Sequence, residues 1–141
     1  MKRKIASTKL RSTAFSRTRS DHSHELSQDY VEMIAELIDE KGEARGSEIA
    51  LRLGVANATV VKTLKRLAEQ GLIEQEPYRA IFLTSEGRKL AEDGKRRHAV
   101  VENFLLALGI SPAIAKCDSE GIEHHVSAET LRAMGRFLAK R

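Results

Sequence analysis

Glu120, Glu123 and His124 are the residues whose types and spacing best suit metal binding in this chain. On a helix, at about 100° per residue, their side chains would fall within roughly 100° of arc, whereas His125 would point elsewhere. Two carboxylates and one imidazole form only part of a coordination sphere, so other segments must supply further ligands. By itself, this pattern is more often a solvated helix face than a metal site.

Further candidate ligands lie elsewhere in the sequence. Asp29 and Glu32 are spaced i, i+3 in a segment with helical periodicity, and His98 lies in a long amphipathic run. Asp29 also falls in the first turn of its expected helix, where a carboxylate favours the helix dipole. A purely structural role for Asp29 therefore stays open.

The composition limits both fold and function. A chain of 141 residues with 41% hydrophobic and 4% aromatic residues can bury one modest aliphatic core or two small subdomains. The single Cys117 excludes an intramolecular disulfide and a thiolate zinc cluster, and it suits a reducing compartment. No apolar run approaches the ~20 residues of a membrane helix, and no hydrophobic segment follows the basic N-terminus. We therefore expect a cytoplasmic protein without a membrane partner.

The positive charge is concentrated near the N-terminus. Seven of the 24 Lys and Arg residues lie within residues 1–20, before the first acidic residue, Asp21. Because this segment is also rich in Ser and Thr, we expect residues 1–25 to form a basic, disordered arm. Such an arm can act as a solubilising leader or contact nucleic-acid phosphates.

The segment after this arm has the pattern of a helix-turn-helix. Apolar spacing predicts a helix from Ser27 to Lys41, a short helix capped by Ser47 and closed by Gly54, and a further helix that Asn57 caps. An ordinary solvated amphipathic helix would give the same pattern as the last of these. If it is a recognition helix, its outward side offers cations and hydrogen-bonding groups to DNA, namely Asn57, Thr59, Lys62, Thr63, Lys65 and Arg66.

The following segment favours DNA binding. Residues 72–84 are predicted to form two short strands, with Tyr78 and Arg79 near the turn, and a helix follows to about Leu108. A helix-turn-helix followed by a β-hairpin and a helix is the winged-helix arrangement. In it one helix enters the major groove and the hairpin can reach the backbone or the minor groove. We therefore expect double-stranded DNA as a partner.

The C-terminal segment is predicted to be helical. The expected helix caps are Thr84 or Ser85, Ser111, Asp118 or Ser119, and Ser127. The apolar stripe from Val100 to Leu108 is more than a helical segment of this size can hide, which predicts a homodimer. No other protein partner is evident.

Four motifs, taken as a set, resemble a known family over about residues 25–141. They are Asp29-Tyr-Val-Glu32, Leu83-Thr-x-x-Gly87, Arg97-His98 with Val101-Glu-Asn-Phe-Leu105, and Glu120-Gly-Ile-Glu-His-His-Val-Ser127. The set resembles the manganese-responsive branch of the diphtheria-toxin-repressor family of metal-dependent transcriptional repressors. With the patterns above, it implies a mostly α fold: a winged helix-turn-helix DNA-binding domain over residues 26–88 and a helical dimerisation and metal-binding domain over residues 89–141.

The resemblance also implies a function and a ligand set. It implies a homodimer that represses manganese uptake genes when one or two Mn²⁺ ions bind to each subunit, with Fe²⁺ as a second candidate. The family's ligand positions fall on Asp29, Glu32, His98, Glu120, Glu123 and His124. Iron-sensing relatives have Met at the position of Asp29 and Cys at that of Glu120, and oxygen donors at both positions favour Mn²⁺. Because the sequence ends at Arg141, we expect no C-terminal SH3-like domain of the kind those relatives carry.

Three other interpretations remain open. The chain can be a winged-helix transcriptional regulator that does not respond to metal, with its Glu and His residues solvated. It can be a metal hydrolase, although the sequence has no HExxH motif and no nucleophile paired with a base, so we expect no enzymatic activity. The basic arm can also serve as a protein-binding module.

Overall fold

The computed structural model describes the backbone of residues 2–76 and 79–141, and the side chains of residues 8–14, 24–76 and 79–141. Its elements are α1 (Lys2–Lys41), α2 (Gly46–Leu53), α3 (Asn57–Glu69), β1 (Ile73–Glu74), β2 (Phe82–Leu83), α4 (Ser85–Ala107), α5 (Pro112–Ile122) and α6 (Ala128–Ala139). The predicted mostly α fold is therefore confirmed. Within the described residues, no helix has the length and apolar content needed to cross a membrane.

The chain divides into two compact units. The first unit comprises Met1–Leu26 and Arg97–Arg141, and the second comprises Ser27–Arg96. The division falls within α1 and again within α4. Each unit therefore receives part of both long helices.

Helix α1 begins far upstream of its predicted start. The chain is helical from Lys2 rather than from Ser27, so the prediction of a disordered arm over residues 1–25 does not hold for the backbone of residues 2–25. The sequence contains no glycine or proline before Gly42. Since these are the residues that most disfavour a helix, nothing local stops the helix at Ser27.

The second unit has a largely aliphatic core formed by one face of each of its helices and by the hairpin segment. Its buried residues include Tyr30, Val31, Ile34, Leu37, Ile49, Val60, Leu64, Leu67, Ile73 and Ile81. In α1 and α3 these residues recur at i, i+3 and i+4, as expected for helices that bury one face. Two ion pairs also join the end of α1 to α2, Lys41 with Glu48 at 2.7 Å and Glu40 with Arg52 at 2.6 Å.

A short antiparallel hairpin follows the helix-turn-helix. Strands β1 and β2 pair with Ile73 opposite Leu83, and an isolated bridge joins Ala44 to Ile81. Together α2, α3 and the hairpin form the predicted winged helix-turn-helix. Ser47 and Asn57 lie inside their helices rather than at the predicted caps, because α2 and α3 begin after Arg45 and Ala56.

Thr84 fixes the connection between the hairpin and α4. Its Oγ1 accepts a hydrogen bond from the Gly87 N–H at 3.1 Å and donates one to the carbonyl of Gly71 at 2.6 Å. Of the two predicted caps, Thr84 is thus the correct one. Position 87 has to be glycine, since a Cβ there would lie 1.9 Å from the carbonyl oxygen of Leu72.

In the first unit, α5 is one continuous helix up to Ile122. The predicted cap at Asp118 or Ser119 is therefore wrong, and Ser119 is instead buried with its hydroxyl donating to the carbonyl of Lys116 at 2.9 Å. The predicted cap of α6 is confirmed, because the Ser127 side chain accepts a hydrogen bond from the Thr130 N–H.

Among its described side chains, the first unit buries few large apolar ones and exposes several. Val101 is fully buried, and the rings of Phe104 and Phe137 meet edge to face with centroids 5.4 Å apart. Among the described residues of this unit, the large hydrophobic side chains that remain exposed are Leu10, Leu106, Leu108, Ile110, Ile114 and Phe137. The unit thus presents exposed apolar side chains, but of the predicted stripe only Leu108 is among them, whereas Val101 is buried and Val100, Phe104 and Leu105 are half-buried.

Candidate metal centre

The predicted ligands Glu120, Glu123 and His124 do not share one helix face. Helix α5 ends at Ile122, Glu123 is its C-terminal cap, and His124 lies in the turn that follows. Glu123 and His124 are buried, with 3% and 5% exposure, whereas Glu120 is exposed. The structure therefore brings Glu123 and His124 into the interior and leaves Glu120 at the surface.

Arg97, for which the sequence pattern predicts no role, holds this turn. Its Nε and Nη2 atoms donate to the carbonyl oxygen of Glu123 at 3.2 and 2.8 Å, and Nη2 also donates to the carbonyl of Val126 at 2.8 Å. Carbonyls at the end of a helix lack partners within the helix, and a cationic donor suits them. The guanidinium thus fixes the backbone that carries Glu123 and His124.

His98 and Glu123 lie at the centre of a row of alternating carboxylates and imidazoles. His98 Nδ1 is 3.3 Å from Glu123 Oε2, and His98 Nε2 is 2.8 Å from Glu102 Oε2. The other oxygen of Glu123, Oε1, is 3.4 Å from His124 Nε2. We call Glu102, His98, Glu123 and His124 the carboxylate–imidazole row. Carboxylate oxygens and imidazole nitrogens are suitable donors for a divalent first-row ion such as Mn²⁺, so the residues present fit that metal.

Glu25, on α1, reaches the same part of the first unit. Its Oε2 is 3.5 Å from His125 Nε2, and a carboxylate oxygen of Glu25 lies within 4.8 Å of a ring nitrogen of His124. The sequence pattern did not indicate this residue, because α1 was expected to begin after it. The available signal was its position four residues before Asp29.

Asp29 and Glu32 lie one turn apart on α1, as predicted, and both are half-buried. Glu32 packs against α4 at Gly94, which has no side chain. A Cβ at this position would lie 1.8 Å from Glu32 Oε1. The same Cβ would lie 2.8 Å from Nε2 of Gln28. Gly94 thus provides the space that the Glu32 carboxylate occupies.

The predicted DNA-contacting residues of α3 are exposed, with one exception. Asn57, Thr59, Lys62, Lys65 and Arg66 are at the surface. Thr63 is buried, and its hydroxyl donates to the carbonyl of Thr59 at 2.9 Å, so the prediction that Thr63 faces outward is wrong. Thr63 follows the buried Val60 by three residues, so its side chain lies on the same face of the helix and points into the core. Val61, which the sequence pattern did not single out, is 66% exposed among the cations.

At the hairpin, Arg79 is exposed, and its Nη1 lies 2.9 Å from Glu76 Oε2. A surface pair of this kind contributes little to stability and leaves the guanidinium accessible to a phosphate. The other residue predicted at this turn, Tyr78, lies outside the described residues.

Two family models match the chain in succession. The iron dependent repressor N-terminal DNA binding domain matches residues 24–81, and the iron dependent repressor metal binding and dimerisation domain matches residues 84–141. Among curated proteins, the Transcriptional regulator MntR of Escherichia coli O157:H7 is 57% identical over 126 residues, covering 89% of this chain and 81% of that protein. The protein of the same name from Salmonella typhimurium strain LT2 is 57% identical over 125 residues, covering 89% and 78%.

Solved structures agree with these matches. A manganese-dependent transcriptional repressor complex with manganese has a TM-score of 0.73 and 30% identity, over 80% of this chain and 52% of that one. The manganese regulator SloR has a TM-score of 0.71 and 26% identity, over 82% and 54%. This chain therefore spans about half the length of those proteins. The matched family models describe metal-dependent repressors, and the matched curated proteins are transcriptional regulators. The matches therefore favour neither an enzyme nor a regulator that does not respond to metal. From both domain matches and the identity to the MntR proteins, we conclude that the chain belongs to the iron-dependent repressor family, as a homodimeric, metal-responsive, DNA-binding transcriptional regulator.

Proposed function

We propose that this protein is a cytoplasmic repressor of manganese uptake genes that Mn²⁺ activates, with Fe²⁺ as a second candidate metal. The observation that carries the proposal is the buried Glu123 carboxylate, which lies within 3.4 Å of the imidazoles of both His98 and His124. The names of the MntR relatives and of the manganese-bound repressor support manganese as the metal.

We propose that residues 26–88 bind DNA and that residues 89–141 bind metal and form the dimer. The proposed ligands are Asp29, Glu32, His98, Glu120, Glu123 and His124. Geometry within the first unit supports His98, Glu123 and His124, because they lie next to one another in the carboxylate–imidazole row. The exposed Glu120 rests on the family resemblance alone, and so does the number of ions, one or two per subunit.

Electrostatics give these residues a switching mechanism. Asp29, Glu32, Glu120 and Glu123 are four carboxylates, and carboxylates that converge on one site repel each other. When bound, Mn²⁺ would supply the positive charge that offsets this repulsion. The ligands can then hold α1 and the end of α5 in one arrangement, which sets the spacing of the two recognition helices α3 in the dimer. Metal and DNA would strengthen each other's binding by the same coupling free energy, typically about 1–3 kcal/mol.

The DNA-binding part of the proposal rests on the outward face of α3. Lys62, Lys65 and Arg66 present three exposed cations on this helix, and Arg79 adds a fourth from the hairpin. Asn57 and Thr59 can donate to phosphates or base edges near the start of α3. We propose these residues and Tyr78 as the DNA contacts, and we omit the buried Thr63.

The test compares two neighbouring histidines. His124→Ala should weaken Mn²⁺ binding by about tenfold or more and abolish Mn²⁺-stimulated DNA binding. His125→Ala is the matched control, since this exposed imidazole is not a proposed ligand. The measurements are calorimetric Mn²⁺ titration and DNA affinity with Mn²⁺, Fe²⁺, Co²⁺, Zn²⁺ or a chelator. If His124→Ala bound Mn²⁺ and DNA like the parent, a regulator that does not respond to metal would be the better interpretation.

A further inference from the structure

We propose that Glu25 supplies an additional carboxylate ligand to the manganese site, beyond the six ligands proposed above. The inference rests on the proposed function, because it concerns the same ion. It is carried by the continuity of α1 and by the position of Glu25 beside the buried His124.

The continuity of α1 places Glu25 on the face that carries the proposed ligands of this helix. Glu25, Asp29 and Glu32 are spaced i, i+4 and i+7, so their side chains lie along one stripe of a single helix. Glu25 and Asp29 are separated by about 6 Å of helical rise, at 1.5 Å per residue. Glu25 therefore extends the stripe of proposed ligands on α1 by one turn.

The surroundings of Glu25 in the first unit favour a ligand. A carboxylate oxygen of Glu25 lies within 4.8 Å of a ring nitrogen of His124. Metal–ligand bonds of about 2.0–2.2 Å, the range of zinc sites, place two ligand atoms of one ion up to about 4.4 Å apart. Rotation of the Glu25 side chain would bring both groups within this span.

Burial also gives the carboxylate a reason to bind a cation. The Glu25 side chain is 24% exposed, while that of His124 is 1% exposed. Removing a carboxylate from water is unfavourable unless hydrogen bonds or opposite charge compensate it. A divalent ion beside His124 would supply such a charge, in addition to the His125 imidazole 3.5 Å away.

Glu25→Gln tests the inference, because it removes the charge while keeping the shape. We expect Mn²⁺ affinity, measured by calorimetry on the full chain, to fall about tenfold or more, with unchanged helix content and metal-free DNA affinity. Glu36→Gln is the matched control, since Glu36 is an exposed carboxylate on the same helix, three turns away. Glu25→Ala should show the same loss as Glu25→Gln.

A second comparison separates a ligand from a partner of His125. His125→Ala removes the imidazole and keeps Glu25, so a direct ligand predicts near-parental Mn²⁺ affinity in this variant. If Glu25→Gln bound Mn²⁺ as tightly as the parent chain, the inference would be overturned and the proposed function would stay intact. Equal losses in Glu25→Gln and His125→Ala would overturn it too, because Glu25 would then act through His125. A parent chain that failed to bind Mn²⁺ would instead refute the proposed function.

Discussion

The Nδ1 atom of His98 lies 3.3 Å from Oε2 of Glu123, although 25 positions separate the two residues in the sequence. His98 comes from α4, whereas Glu123 ends α5. The neighbouring Arg97 binds the backbone of the same turn that Glu123 begins. Two consecutive residues of α4 therefore position Glu123: Arg97 binds its main chain and His98 contacts its side chain.

Replacing Arg97 with lysine should loosen this turn. Lysine keeps the positive charge but lacks the planar fork with which Arg97 bonds both the Glu123 and the Val126 carbonyl. We expect the free energy of unfolding to fall by about 1–3 kcal/mol, with weaker Mn²⁺ binding. Denaturant unfolding measures the first effect. Arg96→Lys is the control, since Arg96 is exposed and pairs with Asp93 at 3.4 Å. Unchanged stability in Arg97→Lys would show that other contacts hold the turn.

Gly94→Ala should reduce metal affinity more than it reduces stability. The added Cβ would collide with Glu32 Oε1 and force this carboxylate to move, and it would also meet Nε2 and Cγ of the buried Gln28 at 2.8 and 2.9 Å. The helix preference of alanine over glycine, about 1 kcal/mol, offsets part of this overpacking, so the unfolding temperature should fall little while Mn²⁺ affinity falls about tenfold or more. Gly135→Ala in α6 is the control, because its Cβ would meet nothing within 4 Å. Parental Mn²⁺ affinity in Gly94→Ala would argue against Glu32 as a ligand.

Loss of single cations should weaken DNA binding in a salt-dependent way. Lys62→Ala and Arg79→Ala should each lower the slope of log K against log salt by about 1, because each removes a phosphate contact. The measurement is DNA affinity over a series of salt concentrations. Thr63→Val is the control on the same helix, since Thr63 is buried and should leave the slope unchanged. If Arg79→Ala kept the parental slope and affinity, the hairpin would not contact DNA.

Asp29→Met should change the order in which metals activate DNA binding. A thioether in place of a carboxylate favours softer divalent ions, so Co²⁺ and Zn²⁺ should gain relative to Mn²⁺. DNA affinity at buffered concentrations of each metal gives the order. Asp39→Met is a suitable control, because Asp39 is exposed near the end of the same helix. The same order of metals in Asp29→Met and in the parent would exclude Asp29 as a selectivity ligand.

The ion pair between Glu40 and Arg52 should make stability depend on pH. The hydrogen bond from Arg52 and its charge lower the pKa of Glu40 below the ordinary 4.5. A lowered folded-state pKa means that the pair stabilises the fold above this ordinary value and stops doing so as the pH falls through the folded-state pKa. Arg52→Gln should therefore unfold at a lower temperature than the parent near pH 7, and the difference should shrink near pH 3. A difference independent of pH would assign the effect to packing.

Local sequence patterns predicted the helices of the second unit better than the limits of α1 and α5. Periodicity works there because each helix buries a single face. Ser27 and Ser119 were wrongly predicted to cap helices, because both serines lie inside helices and are buried by tertiary contacts. Ser27 is buried with its Oγ 3.5 Å from Gln70 Oε1, and Ser119 bonds back to the carbonyl of Lys116.

The candidate site could be predicted in its ligand types but not in its geometry. The motifs indicated His98, Glu123 and His124, which lie together in the structure. Nothing local in the sequence indicates that Arg97 bonds to a turn 26 residues away, because that contact depends on how the helices pack. Glu25 was missed for a related reason, since its relevance depends on α1 continuing upstream of Ser27.

The apolar surface of the first unit has a thermodynamic consequence. Leu108, Ile114 and Phe137 are exposed in the single chain. Association of two copies can remove such side chains from water, which is favourable. Folding and association are then linked by mass action, because the folded dimer gains from every increase in chain concentration while the unfolded chain does not. The amount of this regulator in a cell would therefore set the stability of each molecule as well as the number of operators that can be filled.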